Sequence, residues 1–286
     1  YNTGLGYLAL VANTTASNNT AVGFASMQAN TTGANNTAVG YAALDANTTA
    51  SGGTAVGMQA LSSNTTGAEN TAVGINSLFT NTTGTKNVGI GYQAAYTANG
   101  DENTAIGYNA LVDATTGNRN TALGSSAGEN FTTGDDNVAI GRAALYTATT
   151  ISDTVAVGKN ALYANTSGTG NTGLGYEALT ANTTAADNTA VGYLALTANT
   201  TGNYNTAVGK AALDTNTTGT YNVAVGRRAL DANTTASYNV ALGSSSLEAN
   251  TTGAGNTGVG HNSLNANSTA SDNTAVGYQA LMTTTT

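Results

Sequence analysis

The amino-acid sequence predicts an all-β fold, a single parallel β-solenoid of about seventeen coils with 17 residues each. The first observation is a repeat, because the stretch that begins Asn36-Thr37-Ala38-Val39-Gly40 returns at the same spacing along the chain. The second is its β-branched Thr-x-Val core with an invariant glycine behind it, which favours a short strand over a helix. The third is an Asn- and Thr-rich corner between these strands, whose residue types favour tight turns.

We number the repeat so that Asn36 is position 1 and Gly40 is position 5. All complete units have 17 residues except the unit over 87–102, which has 16. Position 3 is always Ala or Gly, position 4 is always Val, Ile or Leu, and position 9 is Leu in all but three units. Arrays of helix pairs need about 34 residues per repeat. Each unit is therefore predicted to form one coil, whose strand pairs with its equivalents at about 4.8 Å.

The large aliphatic side chains at positions 4 and 9 are the predicted core, a ladder that includes Val22, Val39, Val56, Leu44, Leu61 and Leu78. Because side chains alternate along a strand, positions 2 and 4 are predicted to face inward and positions 3 and 5 to face away. The small residues at positions 3 and 5 would let the opposite sheet or another chain come close. The glycines at position 5 are predicted tight-turn or close-packing sites, among them Gly23, Gly40 and Gly57.

The repeat covers residues 1–286, which predicts one solenoid domain with irregular coils over 87–153. In that zone Ala95 and Gly128 replace the Leu of position 9, and Phe131 stands where Asn is usual. A local bend or a partner site is one interpretation of this zone. Tolerated drift of the repeat is the other.

Residues at one position of successive coils should stack into ladders. Position 6 predicts an exposed aromatic ladder, either a contact surface for a neighbouring fibre or glycan or simple stacking within the chain, at Tyr7, Phe24, Tyr41, Tyr176 and Tyr193. Position 17 carries charges of largely alternating sign and then three tyrosines, at Glu69, Lys86, Glu102, Arg119, Asp136, Asp153, Tyr204, Tyr221 and Tyr238.

The corner at positions 12 to 14 usually reads Asn-Thr-Thr, which is also an Asn-x-Thr acceptor for N-glycosylation. Candidate glycosylation sites are therefore Asn47, Asn64, Asn182 and Asn199. The motif recurs because the repeat recurs, so the alternative is an asparagine ladder that satisfies the backbone of the corner.

The composition gives little indication of catalytic or metal-binding chemistry. The chain has no cysteine, seven basic residues and a formal net charge of −8, which argues against thiol chemistry and against nucleic acid as a partner. No apolar run is long enough to span a membrane. The acidic pairs Asp101/Glu102 and Asp135/Asp136 and the single His261 lack a convergent third group. We therefore expect no enzyme activity, no cofactor and no metal.

The run Asn137-Val138-Ala139-Ile140-Gly141 resembles the head repeats of YadA-like trimeric autotransporter adhesins, and the array is also similar to repeats of tail-fibre proteins. The resemblance implies a left-handed parallel β-roll, an extracellular or cell-surface location and a homotrimer. The 17-residue unit is longer than the repeat of that family, and no neck, coiled-coil stalk or membrane anchor is visible.

No polar cap is visible at either end of the array, so the solenoid is predicted to be uncapped at both ends. Tyr1 falls at position 17 and Thr286 at position 14, which places the two edges nearly in phase. The sequence therefore predicts a subunit of an extracellular filament that stacks end to end as a homopolymer, through Tyr1, Asn2, Met282 and Thr286. The alternatives are a trimeric adhesin or tail-fibre shaft that binds surfaces or glycans, an excerpt of a longer repeat protein, and an ice-binding protein.

Overall fold

The structure, a computed structural model, describes residues 1–283 and is all-β, with one three-residue strand in every repeat. It divides into two compact units, Tyr1–Arg142 and a second that begins at Ala143. The first unit holds β1 (Thr3–Leu5), β2 (Thr20–Val22), β3 (Thr37–Val39), β4 (Thr54–Val56), β5 (Thr71–Val73), β6 (Val88–Ile90), β7 (Thr104–Ile106), β8 (Thr121–Leu123) and β9 (Val138–Ile140).

The second unit holds eight strands. They are β10 (Val155–Val157), β11 (Thr172–Leu174), β12 (Thr189–Val191), β13 (Thr206–Val208), β14 (Val223–Val225), β15 (Val240–Leu242), β16 (Thr257–Val259) and β17 (Thr274–Val276). Within each unit every strand pairs in parallel with the next, and equivalent repeat positions lie opposite each other, as Thr37 does with Thr54. The predicted parallel β-solenoid of 17-residue coils is confirmed.

Leucine at position 9 forms the centre of the coil interior. Leu44, Leu61 and Leu78 are completely buried, as the repeat predicts. Leu44 has φ of 53°, and Ala42 at position 7 has φ of 49°. A left-handed backbone costs about 1–2 kcal/mol for such a residue, whereas burying a leucine side chain contributes about 1.5–3 kcal/mol. The two left-handed residues together cost about 2–4 kcal/mol, so the burial of Leu44 offsets much of the strain of the turn.

The assignment of the two strand faces from the sequence is wrong. From β2 onward position 3 is buried, whereas Val39 and Val56 at position 4 are each 37% exposed and Val22 is half-buried. The interior beneath the strand is narrow because the leucine of position 9 already fills it. Ala38 fits there with no exposed surface, whereas a Cβ added to Gly89 would lie 2.5 Å from Oγ of Ser77 and 3.1 Å from Cγ of Leu78, so that in this coil even alanine would be crowded. Only Ala or Gly fits inward there, so the larger side chains at positions 2 and 4 face outward.

The buried asparagine at position 1 forms hydrogen bonds between neighbouring coils. The backbone N–H of Gly53 donates to Oδ1 of Asn36 at 2.7 Å, and Nδ2 of Asn36 donates to the carbonyl oxygen of Ala50 at 2.9 Å. The N–H of Asn36 donates in turn to Oδ1 of Asn19 at 2.9 Å. Buried amides must be paired to be tolerated, and each of these is paired both within its coil and with the neighbouring coil.

Asparagine at position 12 forms a second buried ladder. Nδ2 of Asn47 donates to Oδ1 of Asn30 at 2.7 Å and to the carbonyl oxygen of Ala50 at 3.1 Å. The predicted asparagine ladder at the corner is thus confirmed. The ladder is interrupted after Asn81, whose Oδ1 is buried without a partner, because the next coil has Ala98 at this position; it resumes at Asn165, whose Oδ1 accepts from Nδ2 of Asn182.

Candidate functional site: the outward strand face

Along the strand of each coil and the residues on either side of it, exposed and buried side chains alternate. In the coil of β13 the exposed Tyr204 of position 17 is followed by buried Asn205, half-buried Thr206, buried Ala207 and half-buried Val208. Position 6 of the same coil, Lys210, is exposed again. Period-two alternation puts positions 2 and 4 on one side of the strand, and the exposed positions 17 and 6 lie just beyond its two ends. We call this surface the outward strand face.

The middle of the outward strand face is uncharged, with an aliphatic row at position 4 and mostly threonine at position 2. Positions 2 and 4 hold only Thr, Val, Ile or Leu in all seventeen repeats. Leu123 is 45% exposed, Leu174 43% and Val225 39%. Isolated apolar side chains on a surface are ordinary, but a continuous row along a sheet is not. The stripe of positions 2 and 4 is therefore the main candidate for a contact surface.

The aromatic ladder at position 6 borders this stripe on one side. The ring centroids of Tyr7 and Phe24 are 5.5 Å apart, those of Phe24 and Tyr41 are 5.2 Å apart, and those of Tyr176 and Tyr193 are 5.1 Å apart. All five side chains are at least 37% exposed. The predicted stacking within the chain is confirmed. Because the ring faces lie against each other, the rings present mainly their edges to solvent.

Cations flank the aromatic pair of the second unit on the same ridge. Nζ of Lys159 lies 5.2 Å from the ring centroid of Tyr176, and Nζ of Lys210 lies 5.5 Å from that of Tyr193. Such cation–π contacts contribute about 0.5–1 kcal/mol at exposed sites. Position 6 holds no acidic residue in any repeat. This edge of the face is therefore aromatic and basic.

The opposite edge, position 17, is mainly acidic or aromatic. Arg119 donates from Nε and Nη2 to the two carboxylate oxygens of Asp136 at 2.7 and 2.8 Å, which lowers the pKa of Asp136. Nζ of Lys86 lies 3.5 Å from Oε1 of Glu102. The predicted charge ladder is confirmed by these pairs. The tyrosine ladder is confirmed too, with centroid distances of 4.9 Å for Tyr204–Tyr221 and 5.3 Å for Tyr221–Tyr238.

The candidate glycosylation sites lie inside the coil. Asn47, Asn182 and Asn199 have no exposed surface, and Asn64 is 2% exposed. Nδ2 of Asn182 donates to Oδ1 of Asn165 and to the carbonyl oxygen of Ala185, both at 3.0 Å. A glycan on this nitrogen would remove a ladder hydrogen bond and would have no space. The folded coil therefore leaves no room for a glycan on these asparagines.

The acidic pairs singled out in the sequence make contacts between coils. Oδ1 of Asp101 accepts hydrogen bonds from the backbone N–H and the hydroxyl of Thr85 at 2.7 and 2.9 Å. Oδ1 of Asp135 accepts from the backbone N–H of Asn118 at 2.7 Å. His261 stacks on Tyr278 with a centroid distance of 5.6 Å. Among residues 1–283 no three His, Asp or Glu side chains converge as metal ligands.

A second cluster of charge lies on another side of the coil, at positions 7 and 10. Arg228 contacts Asp231 at 2.8 Å and Glu248 at 2.7 Å. Asp214, one coil before Asp231, is half-buried, and this burial raises its pKa, with a further contribution from the charge of Asp231. A hydrogen bond with Thr197 acts in the opposite direction.

The predicted end-to-end interface is described only in part. Tyr1 and Asn2 are exposed, and Met282 is half-buried. Thr286 lies outside the described residues. End-to-end stacking stays a prediction. The described part of the chain encloses no pocket, and none of its residues form a helix long and apolar enough to cross a membrane.

Comparison with known proteins found no match to this chain. No protein-family model matches the chain, and no curated protein matches it. The solenoid of 17-residue coils and its outward strand face are thus the observations from which a function is argued.

Proposed function

We propose that this chain is a non-enzymatic structural protein, a subunit of an extracellular fibre whose solenoids associate through the outward strand face. The observation that carries the proposal is the uncharged stripe at positions 2 and 4, which recurs in every coil with an outward aliphatic side chain at position 4 beside threonine or valine at position 2. The interior supports the same reading, because it is filled by leucine, alanine and two asparagine ladders. An interior packed in this way suits a rigid shaft.

The length of the stripe suits association side by side along the solenoid. The eight strands of the second unit, at about 4.8 Å per coil, give a row nearly 40 Å long and two side chains wide. One of its two rows, position 4, is aliphatic in every coil, and the other, position 2, is valine or threonine. A second solenoid with the same flat face would cover it coil by coil.

The alternatives differ in what the face binds. A trimeric adhesin or tail-fibre shaft would use the same stripe for self-association and a further surface for its target. Binding of glycans by stacking on the position 6 aromatics has less support, because Tyr176 and Tyr193 already cover each other's ring faces.

Sedimentation velocity over a concentration series, with electron microscopy of the same samples, tests the proposal. The wild-type chain should form concentration-dependent rods or bundles. The double variant Val191→Lys/Val225→Lys places charges on the stripe two coils apart and should remain a folded monomer. The matched control Val11→Lys/Val112→Lys changes two valines at position 10, outside the face, and should assemble normally. A wild-type chain that is monomeric at every concentration would overturn the proposal.

Ice binding is a second candidate, favoured by one observation. Regular threonines on a flat solenoid face are typical of several ice-binding proteins, and position 2 presents such a row, for example Thr189 and Thr206, each half-exposed beside an outward valine. The threonines of the corner, such as Thr48 and Thr49, do not form this row. A monomeric chain that slows ice recrystallisation, and loses that effect in Thr189→Lys, would favour this function over the fibre.

A further inference from the structure

Asn99 is the only asparagine in the chain that is followed by a glycine. It lies in the corner of the 16-residue coil over 87–102, at position 13, where threonine is usual. Its side chain is half-buried. The side-chain amide of an asparagine can react with the backbone nitrogen of the next residue, and glycine obstructs this approach least because it has no Cβ.

The carbonyl group of the Asn99 side chain is held by two donors from the preceding coil. Oδ1 of Asn99 accepts hydrogen bonds from the backbone N–H of Thr82 at 2.6 Å and from Oγ1 of Thr82 at 2.9 Å. Two donors directed at one carbonyl oxygen stabilise the negative charge that develops on it when a nucleophile adds to its carbon. Nδ2, the group that would leave, has only a long contact of 3.4 Å with the carbonyl oxygen of Thr80.

The nucleophile is the backbone nitrogen of Gly100. Gly100 is buried, and its N–H donates no hydrogen bond to any group within residues 1–283. Buried backbone N–H groups are nearly always paired, so an unpaired one requires an explanation. A Cβ added to Gly100 would overlap the carbonyl oxygen of Gly117 in the next coil. The packing of the coils therefore requires glycine directly after Asn99.

Other half-buried asparagines of the corner lack this arrangement. Asn118 and Asn203 occupy position 16, and each accepts a hydrogen bond from a backbone N–H of the preceding coil through Oδ1. The N–H of Arg119, which follows Asn118, donates to a backbone carbonyl oxygen at 2.9 Å, and that of Tyr204, which follows Asn203, does so at 3.4 Å. In both cases the next nitrogen is already engaged and carries a side chain beside it.

We propose that Asn99 is a site of spontaneous covalent modification, at which the backbone nitrogen of Gly100 attacks Cγ of Asn99 while Thr82 holds the carbonyl oxygen. The bond from this nitrogen to Cγ forms, the bond from Cγ to Nδ2 breaks, and Nδ2 leaves as ammonia with the proton of the glycine nitrogen. Water then opens the cyclic imide and leaves a carboxylate, as aspartate or isoaspartate. The reaction needs no reagent except water, and it does not depend on the proposed association.

The site also suits an aspartate product. A carboxylate at residue 99 would accept from the same two donors of Thr82, and hydrogen bonds to an ionised acceptor are the stronger ones. The same coil already has such an arrangement. Oδ1 of Asp101 accepts from both the N–H and the hydroxyl of Thr85 in the preceding coil.

Peptide mapping by mass spectrometry of the purified folded chain, sampled over weeks at neutral and mildly alkaline pH, tests the modification. Residue 99 should lose ammonia and then gain the mass of a carboxylic acid. The conversion should be faster at higher pH, because the attacking nitrogen must lose its proton. Asn118 and Asn203 should remain amides over the same period. An amide that persists at residue 99, or that converts no faster than these two, would overturn the inference.

Two variants test the part that Thr82 plays. Thr82→Val removes the hydroxyl donor with little change of shape and should slow the conversion of Asn99 about tenfold, which is less than the loss of one such donor costs in an enclosed enzyme site. Thr82→Ser keeps both donors and should react at the rate of the wild type. Circular dichroism should show that both variants are folded. Equal rates in Thr82→Val and the wild type would overturn activation by Thr82.

Discussion

The ring of Phe131 fills the space that Gly128 leaves in the same coil. Phe131 is 1% exposed, and a Cβ added to Gly128 would lie 3.1 Å from its Cε2 atom. Position 9 is Leu in most coils and position 12 is Asn, so this coil has exchanged a leucine and a buried amide for a glycine and an aromatic ring. The two departures compensate each other.

A double-mutant cycle should reveal this compensation. Gly128→Leu should destabilise the chain, because Leu111 and Phe131 already occupy the space, by about 1–3 kcal/mol. Phe131→Asn should cost about 3–5 kcal/mol, as expected for loss of a buried ring. The double variant restores the common coil and should be more stable than the sum predicts, by chemical denaturation followed with circular dichroism. Strict additivity of the two effects would contradict the account.

The asparagine ladder of position 12 should depend on its amide nitrogens. Asn47→Asp removes both donated hydrogen bonds and places a carboxylate beside Oδ1 of Asn30. Leaving buried groups unpaired costs about 1–3 kcal/mol, and more where a charge is buried. Asn35→Asp makes the same change at an exposed position and should alter the free energy of unfolding by less than about 0.5 kcal/mol. Equal losses in the two variants would contradict the ladder's role.

The glycine of position 5 should not tolerate a side chain. Gly40 has φ of 147°, and a Cβ there would lie 2.7 Å from the carbonyl carbon of Gly57. Gly40→Ala should therefore destabilise the chain by more than about 2 kcal/mol. Gly52→Asn is the control, because Gly52 has φ of 74° with its nearest contact at 3.5 Å and Asn35 adopts φ of 59° one coil earlier. Thermal unfolding should separate the two variants clearly.

Asp214 should make stability depend on pH. Because its pKa is raised in the folded chain, the folded state binds more protons than the unfolded state between the ordinary and the raised pKa, and stability falls as pH rises through that window. Asp214→Asn removes this titration and should be more stable than the wild type at pH 7. The difference should shrink below the ordinary pKa of aspartate. A gain that is equal at neutral and acid pH would contradict this assignment.

Much of the fold follows from the sequence, because a strict period fixes it. One repeat is enough to predict the short strand, the glycine of position 5 and the buried leucine, such as Leu44. The other repeats show the same pattern and strengthen each of these predictions. The stacked rings of Tyr176 and Tyr193 follow equally simply, since the same position in neighbouring coils must be adjacent.

The direction of the strand faces could not be read from hydrophobicity. Alternation says that positions 3 and 4 face opposite ways, but not which way is inward. Val39 is more hydrophobic than Ala38, yet only the smaller residue fits between the strand and the leucine of position 9. Similarly, Asn47 matches the sequence motif of a glycosylation site, and only the stacking of coils shows that its amide is buried.

The burial of Phe131 had a sequence signal. Gly128 and Phe131 are both departures from the repeat and lie in the same coil, three residues apart. A lost leucine and a gained aromatic ring in one coil indicate an exchange of volume. Considered separately, each departure would be interpreted as tolerated variation of the repeat.

Cysteine labelling at two neighbouring positions of one strand tests the central claim most directly. The outward strand face makes Val39 accessible and leaves Ala38 with no exposed surface. In dilute solution Val39→Cys should therefore react with a maleimide at least a hundredfold faster than Ala38→Cys, or than Ser26→Cys, a nearly isosteric change at a buried site. Circular dichroism should confirm that each variant is folded. As the concentration rises, labelling of Val39→Cys should slow, because assembly covers the face. Equal rates in folded variants, or faster labelling of Ala38→Cys, would contradict the account.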